Sequence, residues 1–178
     1  VDGTCVAGGN ELTMACDLVV AGESARFGQP EVGVGSSAAG GGVQLLPLLV
    51  GEKRAREMLL LGELLSAEEA ERIGLINRVV GDDEVEDRAM GLLTRIVDTK
   101  SPQAYRAIKG IMKTWTNLGL LAEPMARDMT ASVWASEEFD ERVSAFLSRQ
   151  EQTPREFTGT RPDPSADSSG DADGSDDE

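Results

Sequence analysis

The chain has 178 residues, 40% of them hydrophobic, and a formal net charge of −15 from 32 acidic and 17 basic side chains, with no histidine. This length allows one ordinary hydrophobic core and a small appendage. The acidic balance argues against nucleic acid as a partner, because phosphate contacts need clustered Lys and Arg, and the absence of His excludes Ser-His-Asp and Cys-His catalysis.

Cysteine usage and hydropathy indicate a cytoplasmic protein. Cys5 and Cys16 are too few for a secreted disulfide scaffold and, without His, for a four-ligand zinc site. We therefore expect two small buried residues and no metal. No apolar run approaches the roughly 18 residues that span a bilayer, and no signal-peptide pattern is visible, so we expect no membrane partner. The chain begins with Val1 rather than Met, and we expect it to be the later part of a longer protein.

The acidity extends along the whole chain. Residues 161–178 contribute −6 and the first 160 residues −9. Because dense surface carboxylates keep a protein soluble, we expect a protein from a salt-rich cytoplasm. The segment 158–178 is acidic and rich in Ser, Asp, Gly and Pro, and we expect it to be disordered.

The first 81 residues alternate short helices and strands, as the apolar periodicity and the Gly and Pro positions indicate. Ser66-Ala67-Glu68-Glu69 is a capping box. In chain order we predict a helix over 9–16, strands over 18–21 and 25–27, a glycine-rich loop over 33–42, helices over 43–49 and 52–61 interrupted near Pro47 and Gly51, a helix over 66–73 and a strand over 75–80.

From residue 82 onwards the spacing of apolar residues is helical throughout. We predict helices over 85–96, 102–112, 120–135 and 137–149. We therefore divide the chain into three parts. They are a core over 1–81, which we expect to contain the active site, a helical oligomerisation region over 82–157 and the tail over 158–178. The apolar faces of the helices are expected to pack on the core or on another subunit.

Two carboxylates, Glu11 and Glu31, stand beside glycine and apolar residues rather than in a charged run. They lie twenty residues apart, ten on either side of Ala21, and could meet across the turn. Two carboxyls in an apolar pocket push their pKa values apart, so that one acts as acid and the other as base. The alternatives are a first-turn helix acid for Glu11 and an exposed loop carboxylate for Glu31.

Glycines suggest where a ligand could approach the backbone. Val6 to Glu11 has the pattern of a strand-to-helix junction, where the first helical N–H groups of Gly8 and Gly9 could stabilise an oxygen that gains negative charge. The alternative is a tight turn. The glycine-rich loop 33–42 matches nucleotide-binding motifs poorly. We expect this loop either to form one wall of the site for a bulky substrate, with Gly35 in contact with it, or simply to be flexible.

The motifs Ala7-Gly8-Gly9-Asn10-Glu11-Leu12 and Ala25-Arg26-Phe27-Gly28-Gln29-Pro30-Glu31 together resemble the active-site stretch of the enoyl-CoA hydratase (crotonase) superfamily. The likeness continues through the helix start at 41–45, the block 62–80 and the final helix at 136–146. It covers roughly Val1 to Arg149.

The resemblance implies an α/β fold, the C-terminal part of a ββα spiral followed by a helical trimerisation region. It implies an acyl-CoA thioester substrate, no separate cofactor because CoA is part of the substrate, and a homotrimer or dimer of trimers. Gly8 matches the position whose N–H forms half of the oxyanion hole. Glu11 and Glu31 match the two catalytic glutamates, and Arg149 falls where a Lys often lies near the CoA adenine or phosphate.

We therefore expect a hydro-lyase in which Glu11 activates water and Glu31 protonates the substrate. The family's N-terminal portion, with the other oxyanion N–H, should precede Val1. Segments 33–39 and 45–47 look closer to branches that act on cyclic or aromatic-derived acyl-CoA. The alternatives are an isomerase, a hydratase or hydrolase of a cyclic acyl-CoA, or a truncated inactive subunit that acts only in assembly.

Overall fold

A computed structural model describes residues 1–152 of the chain. The predicted disordered tail at 158–178, and the end of the helical region at 153–157, lie outside these residues. Within 1–152, no helix combines the length and the apolar character that crossing a bilayer would require.

Five short strands form two small sheets. Strand β1 (Thr4–Val6) pairs in parallel with β3 (Arg26–Gly28), and β3 pairs antiparallel with β4 (Leu65–Ser66). Strand β2 (Val20–Gly22) pairs in parallel with β5 (Arg78–Val80). Because β1 and β3 are parallel and in register, they end at the same edge of their sheet.

Four helices accompany the strands. Their bounds are α1 (Gly8–Met14), α2 (Gly42–Val50), α3 (Glu52–Leu61) and α4 (Ala67–Arg72). A short 3₁₀ helix, Pro30–Val34, follows β3. The N-cap half of the predicted capping box is confirmed, since the Ser66 hydroxyl accepts a hydrogen bond of 3.2 Å from the backbone N–H of Glu69. The Glu69 carboxylate binds Arg72 instead of returning to the Ser66 N–H.

The predicted order of helices and strands in this region is confirmed, with three corrections. Helix α2 passes through Pro47 and ends at Val50, before Gly51 with φ of 80°; a proline removes one helical hydrogen bond, and here the helix continues past it. Strand β5 is shorter than the predicted 75–80. The two-residue strand β4 has no sequence pattern of its own, because its pairing with β3 defines it.

The core lies between the two sheets and helices α1 to α4. Phe27 and Leu46 are its largest fully buried apolar side chains. Around them pack the buried residues Cys5, Met14, Val19, Ala21, Ala25, Leu45, Ala55, Met58, Ala67, Ala70, Leu75 and Ile76. Cys5 is buried as predicted. Cys16 is exposed, so that part of the prediction is wrong; it lies in the turn after α1, outside this core.

The second half of the described chain is helical, as predicted. Its helices are α5 (Val85–Thr99), α6 (Pro102–Leu120), α7 (Glu123–Trp134) and α8 (Glu137–Leu147). Helix α5 contacts β2, α6 contacts α2, and α8 contacts the 3₁₀ helix. Their apolar side chains stay largely exposed, for example Ile108, Ile111 and Met129. The core of the same chain therefore does not cover these faces.

Candidate active site

The parallel pairing of β1 and β3 brings Glu11 and Glu31 to one edge of the sheet. Val6 and Gly28 are register partners, and the Ala7 N–H continues the ladder by donating to the Gly28 carbonyl over 3.1 Å. Beyond this edge β1 leads into α1 with Glu11, and β3 leads into the 3₁₀ helix with Glu31. Ala7 has φ of 51°, an uncommon value for a residue with a side chain. This conformation turns the chain sharply into α1.

Glu11 lies in the first turn of α1 and contacts the start of α2. Its Oε1 accepts a hydrogen bond of 2.9 Å from the Gly42 N–H, the first backbone amide of α2. A Cβ atom at Gly40 would lie 2.6 Å from its Oε2. The glycine-rich loop therefore packs its backbone directly against the Glu11 carboxylate, and a larger residue at position 40 would displace it.

Glu31 lies in the 3₁₀ helix beyond the same edge of the sheet and is partly buried. Its Oε2 is buried and has no hydrogen-bond partner among residues 1–152. Burial raises the pKa of Glu31; its own backbone N–H partly offsets this shift, and the charge of Glu11 adds to it. Both carboxyls thus lie beyond the same edge of the sheet, and the charge of Glu11 disfavours ionisation of Glu31. The alternative interpretation of Glu31 as an exposed loop carboxylate is wrong.

Gly8 and Gly9 open α1 on an exposed surface. A Cβ atom at either position would meet nothing within 4 Å. The first N–H groups of a helix lack partners within it, and the first such bond in α1 is the 2.9 Å contact from the Glu11 N–H to the Ala7 carbonyl. A ligand can therefore reach these amides, and their role as oxyanion donors stays a prediction.

The structure places the other two predicted substrate contacts on or against α8. Gly35 has φ of 68°, and a Cβ atom there would lie 3.1 Å from Cδ of Arg142 on that helix. Arg149 is exposed just beyond the end of α8, with φ of 55°. Within residues 1–152, Arg149 makes no hydrogen bond or ion pair to Glu11 or Glu31. The substrate roles of Gly35 and Arg149 stay predictions.

Sequence reasoning missed two buried amides next to the glutamates. Asn10 and Gln29 are almost fully buried, and the Asn10 amide donates to Oε1 of Gln29 over 3.5 Å. This bond joins α1 to the residue that precedes the 3₁₀ helix. Polar residues beside glycine in otherwise apolar stretches are the signal that could have revealed them, since buried amides need partners. Residues 1–152 contain no cluster of His, Cys, Asp or Glu suited to a metal.

Known proteins are similar to this chain in sequence and fold. Residues 1–158 match the family model described as enoyl-CoA hydratase/isomerase. The chain is 35% identical to crotonyl-CoA hydratase of Syntrophomonas wolfei over 84% of this chain and 58% of that protein. It is 36% identical to 2,3-dehydroadipyl-CoA hydratase of Escherichia coli over 89% of this chain and 61% of that protein.

Solved structures agree with these matches. The chain superposes on carnitinyl-CoA hydratase from Mycobacterium avium with a TM-score of 0.82 and 34% identity, over 87% of this chain and 60% of that one. It thus spans 58 to 61% of the length of the relatives named here. The predicted fold class, a crotonase-like α/β core followed by helices, is confirmed. The chain belongs to the enoyl-CoA hydratase/isomerase family of the crotonase superfamily.

Proposed function

We propose that the complete protein is an enoyl-CoA hydratase, which adds water across the 2,3 double bond of a 2-enoyl-CoA thioester. The observation that carries this proposal is that two carboxyls beyond one edge of the sheet have different surroundings. Glu11 accepts a hydrogen bond from the Gly42 N–H, and Glu31 has a buried oxygen without a protein partner within residues 1–152. Such differences separate an acid from a base.

In the proposed reaction Glu11 is the general base. It takes a proton from water as the water oxygen bonds to C3 of the substrate. The electrons of the double bond move to the thioester oxygen, where the Gly8 N–H is one donor of the oxyanion hole. Glu31 then gives a proton to C2. Glu11 ends protonated and Glu31 ionised, and a proton passed from one to the other restores both.

The surroundings of Glu31 support its role as the acid. Burial and the nearby charge of Glu11 raise the pKa of Glu31. A larger protonated fraction near neutral pH is what a carboxylic acid needs to donate a proton.

The test replaces each carboxylate by its amide in the complete native protein. Glu11→Gln and Glu31→Gln should each lower the hydration of crotonyl-CoA about 10²- to 10⁴-fold, the usual contribution of a general acid or base. The matched control is Glu86→Gln, at an exposed acid in the first turn of α5. Circular dichroism should show an unchanged fold in all three. Ordinary turnover in either active-site variant would refute its assigned role.

A substrate panel separates the proposal from its rivals. If straight-chain substrates yield no 3-hydroxyacyl-CoA, an isomerase or a cyclic acyl-CoA activity is favoured. If no acyl-CoA of the panel is turned over, an inactive assembly subunit is favoured. In the proposed enzyme Gly9, Gly35 and Arg149 contact the substrate, and no cofactor is needed beyond its CoA group.

We also propose a cytoplasmic homotrimer or dimer of trimers that forms through the exposed apolar faces of the helical region. Met90, Leu93, Ile108, Ile111 and Met129 are among the exposed residues of these faces. Burying such surfaces is favourable by roughly 25 cal/mol per Å². Light scattering of the complete protein tests this proposal, and a monomer at micromolar concentration would contradict it.

A further inference from the structure

Helices α7 and α8 contact the segment that directly follows Glu31. The Trp134 indole N–H donates to the Ser36 hydroxyl over 2.7 Å, and the hydroxyls of Ser37 and Thr130 are hydrogen-bonded to each other. From α8, Arg142 Nη1 donates to the Gly33 carbonyl over 3.4 Å. These partners are 93 to 109 residues apart in the chain. The helical region is therefore connected to the segment 33–37, which follows Glu31.

Thr130 differs from the other helical residues in these contacts because it is buried. Within the described helices α5 to α8 it is the only buried residue. Its hydroxyl donates to the Ala126 carbonyl over 2.7 Å. Since a hydroxyl has one proton, its oxygen must accept the bond from Ser37. Thr130 therefore holds Ser37 at the one point where α7 is fully buried.

Two side chains on one face of α7 form hydrogen bonds to two consecutive serines. Thr130 and Trp134 are four residues apart, so they lie one above the other on the helix. They bind Ser37 and Ser36 respectively. A shift or rotation of α7 would move both serines together.

Ser36 is in turn bonded to the backbone of Glu31. The Ser36 N–H donates to the Glu31 carbonyl over 2.9 Å, and the Gly35 N–H donates to the Val32 carbonyl over 3.2 Å. These bonds close a tight turn with Gly35 at φ of 68°. Movement of Ser36 is therefore transmitted to the backbone that carries the Glu31 side chain.

We propose that Thr130 and Trp134 are positioning residues for the reaction, which hold Glu31 in place through Ser37 and Ser36. This inference rests on the proposed hydratase function, because it concerns the acid of that reaction. Neither residue is required to touch the substrate. The competing explanation is that these contacts only attach α7 to the core.

The test uses Thr130→Val and Trp134→Phe in the complete native protein, with crotonyl-CoA as substrate. Valine keeps the size of threonine without its hydroxyl, and phenylalanine keeps an aromatic ring without the indole N–H. We expect kcat to fall about tenfold in each variant while KM changes less than about twofold, since a misplacement of about 1 Å can cost about 100-fold and a smaller one costs less. Thr130→Ser, which retains the hydroxyl, should restore kcat.

Two matched controls isolate the effect. Thr99→Val removes the same type of hydroxyl-to-carbonyl bond, 2.6 Å long to Arg95, on the exposed surface of α5. Trp115→Phe makes the same ring replacement at a tryptophan that is 61% exposed on α6, with light scattering to check that its oligomeric state is that of the wild type. Both controls should keep the kcat of the wild type.

The outcomes separate the two proposals. An active wild type whose Trp134→Phe variant keeps its kcat overturns the positioning role and leaves the hydratase proposal intact. Equal losses in kcat for Thr130→Val and Thr130→Ser overturn it as well. A wild type that does not hydrate crotonyl-CoA or any other 2-enoyl-CoA overturns the proposed function, and the inference with it.

Discussion

The Gly42 N–H donates to Oε1 of Glu11 over 2.9 Å, across 31 residues of sequence. Gly42 is the first residue of α2, so its amide has no partner within that helix and lies at the positive end of the helix dipole. A carboxylate is the natural partner for such an amide. The glycines of the loop thus allow the backbone to approach Glu11 closely.

Gly40→Ala should impair activity more than stability. The new Cβ atom would lie 2.6 Å from Oε2 of Glu11, and the flexible carboxylate can move away while the fold stays intact. We expect kcat to fall at least about tenfold, since in the proposed reaction a displaced Glu11 loses its alignment with the attacking water. Steady-state kinetics and thermal unfolding measure both effects. The control is Gly91→Ala on α5, where a Cβ atom meets nothing within 4 Å. An unchanged kcat would contradict the contact.

Gly42→Ala should impair stability instead. Its Cβ atom would lie 2.3 Å from Nε2 of Gln29 and 2.5 Å from Cβ of Ala38, and both of these residues are buried. Overpacking of this kind costs about 1–3 kcal/mol of unfolding free energy. Urea denaturation measures the change. A midpoint equal to that of the wild type would show that this region can relax.

Glu11→Gln should lower the pKa of Glu31. Burial is the main cause of the raised pKa, and the charge of Glu11 adds to it. The neutral amide removes the second contribution and keeps an acceptor oxygen for the Gly42 N–H. A carboxyl carbon NMR titration measures the shift. A pKa of Glu31 that is unchanged or higher in the variant would mean that the two carboxyls do not interact.

Glu31→Gln should make stability less dependent on pH. A carboxyl whose pKa is raised on folding binds more protons in the folded state, so ionisation favours unfolding. The stability of the wild type should therefore fall as the pH rises from the ordinary value near 4.5 through the higher folded pKa. The variant lacks this loss, so the Tm of the variant minus that of the wild type should increase as the pH rises across that interval. Thermal unfolding between pH 3.5 and pH 7 tests this, with Glu86→Gln as control. A difference in Tm that is constant with pH would contradict it.

Added salt should stabilise the protein. The net charge of −15 causes self-repulsion, which dissolved ions screen. We expect Tm and activity to rise from dilute buffer to molar potassium chloride. Equal Tm and turnover across that range would contradict adaptation to a salt-rich cytoplasm.

Local patterns were sufficient for much of the secondary structure. The predicted helix at 52–61 matches α3, and the predicted cap at Ser66 is formed by the bond from the Glu69 N–H. These features depend on residues within one or two turns of each other, where spacing and capping chemistry act. The same local reasoning singled out Glu11 and Glu31 as a candidate pair.

Contacts between residues that are far apart in the sequence could be identified only in the tertiary structure. No local pattern relates Gly42 to Glu11, whose carboxylate its amide binds, or β4 to its partner β3. The burial of Glu31 likewise depends on segments that are distant in the sequence. The bonds from Thr130 and Trp134 to Ser37 and Ser36 are of the same kind. Residue types and their spacing specify helices, caps and candidate acids, because those depend on near neighbours. The orientation of the acids and the groups that hold them depend on how the elements pack, and packing exists only in three dimensions.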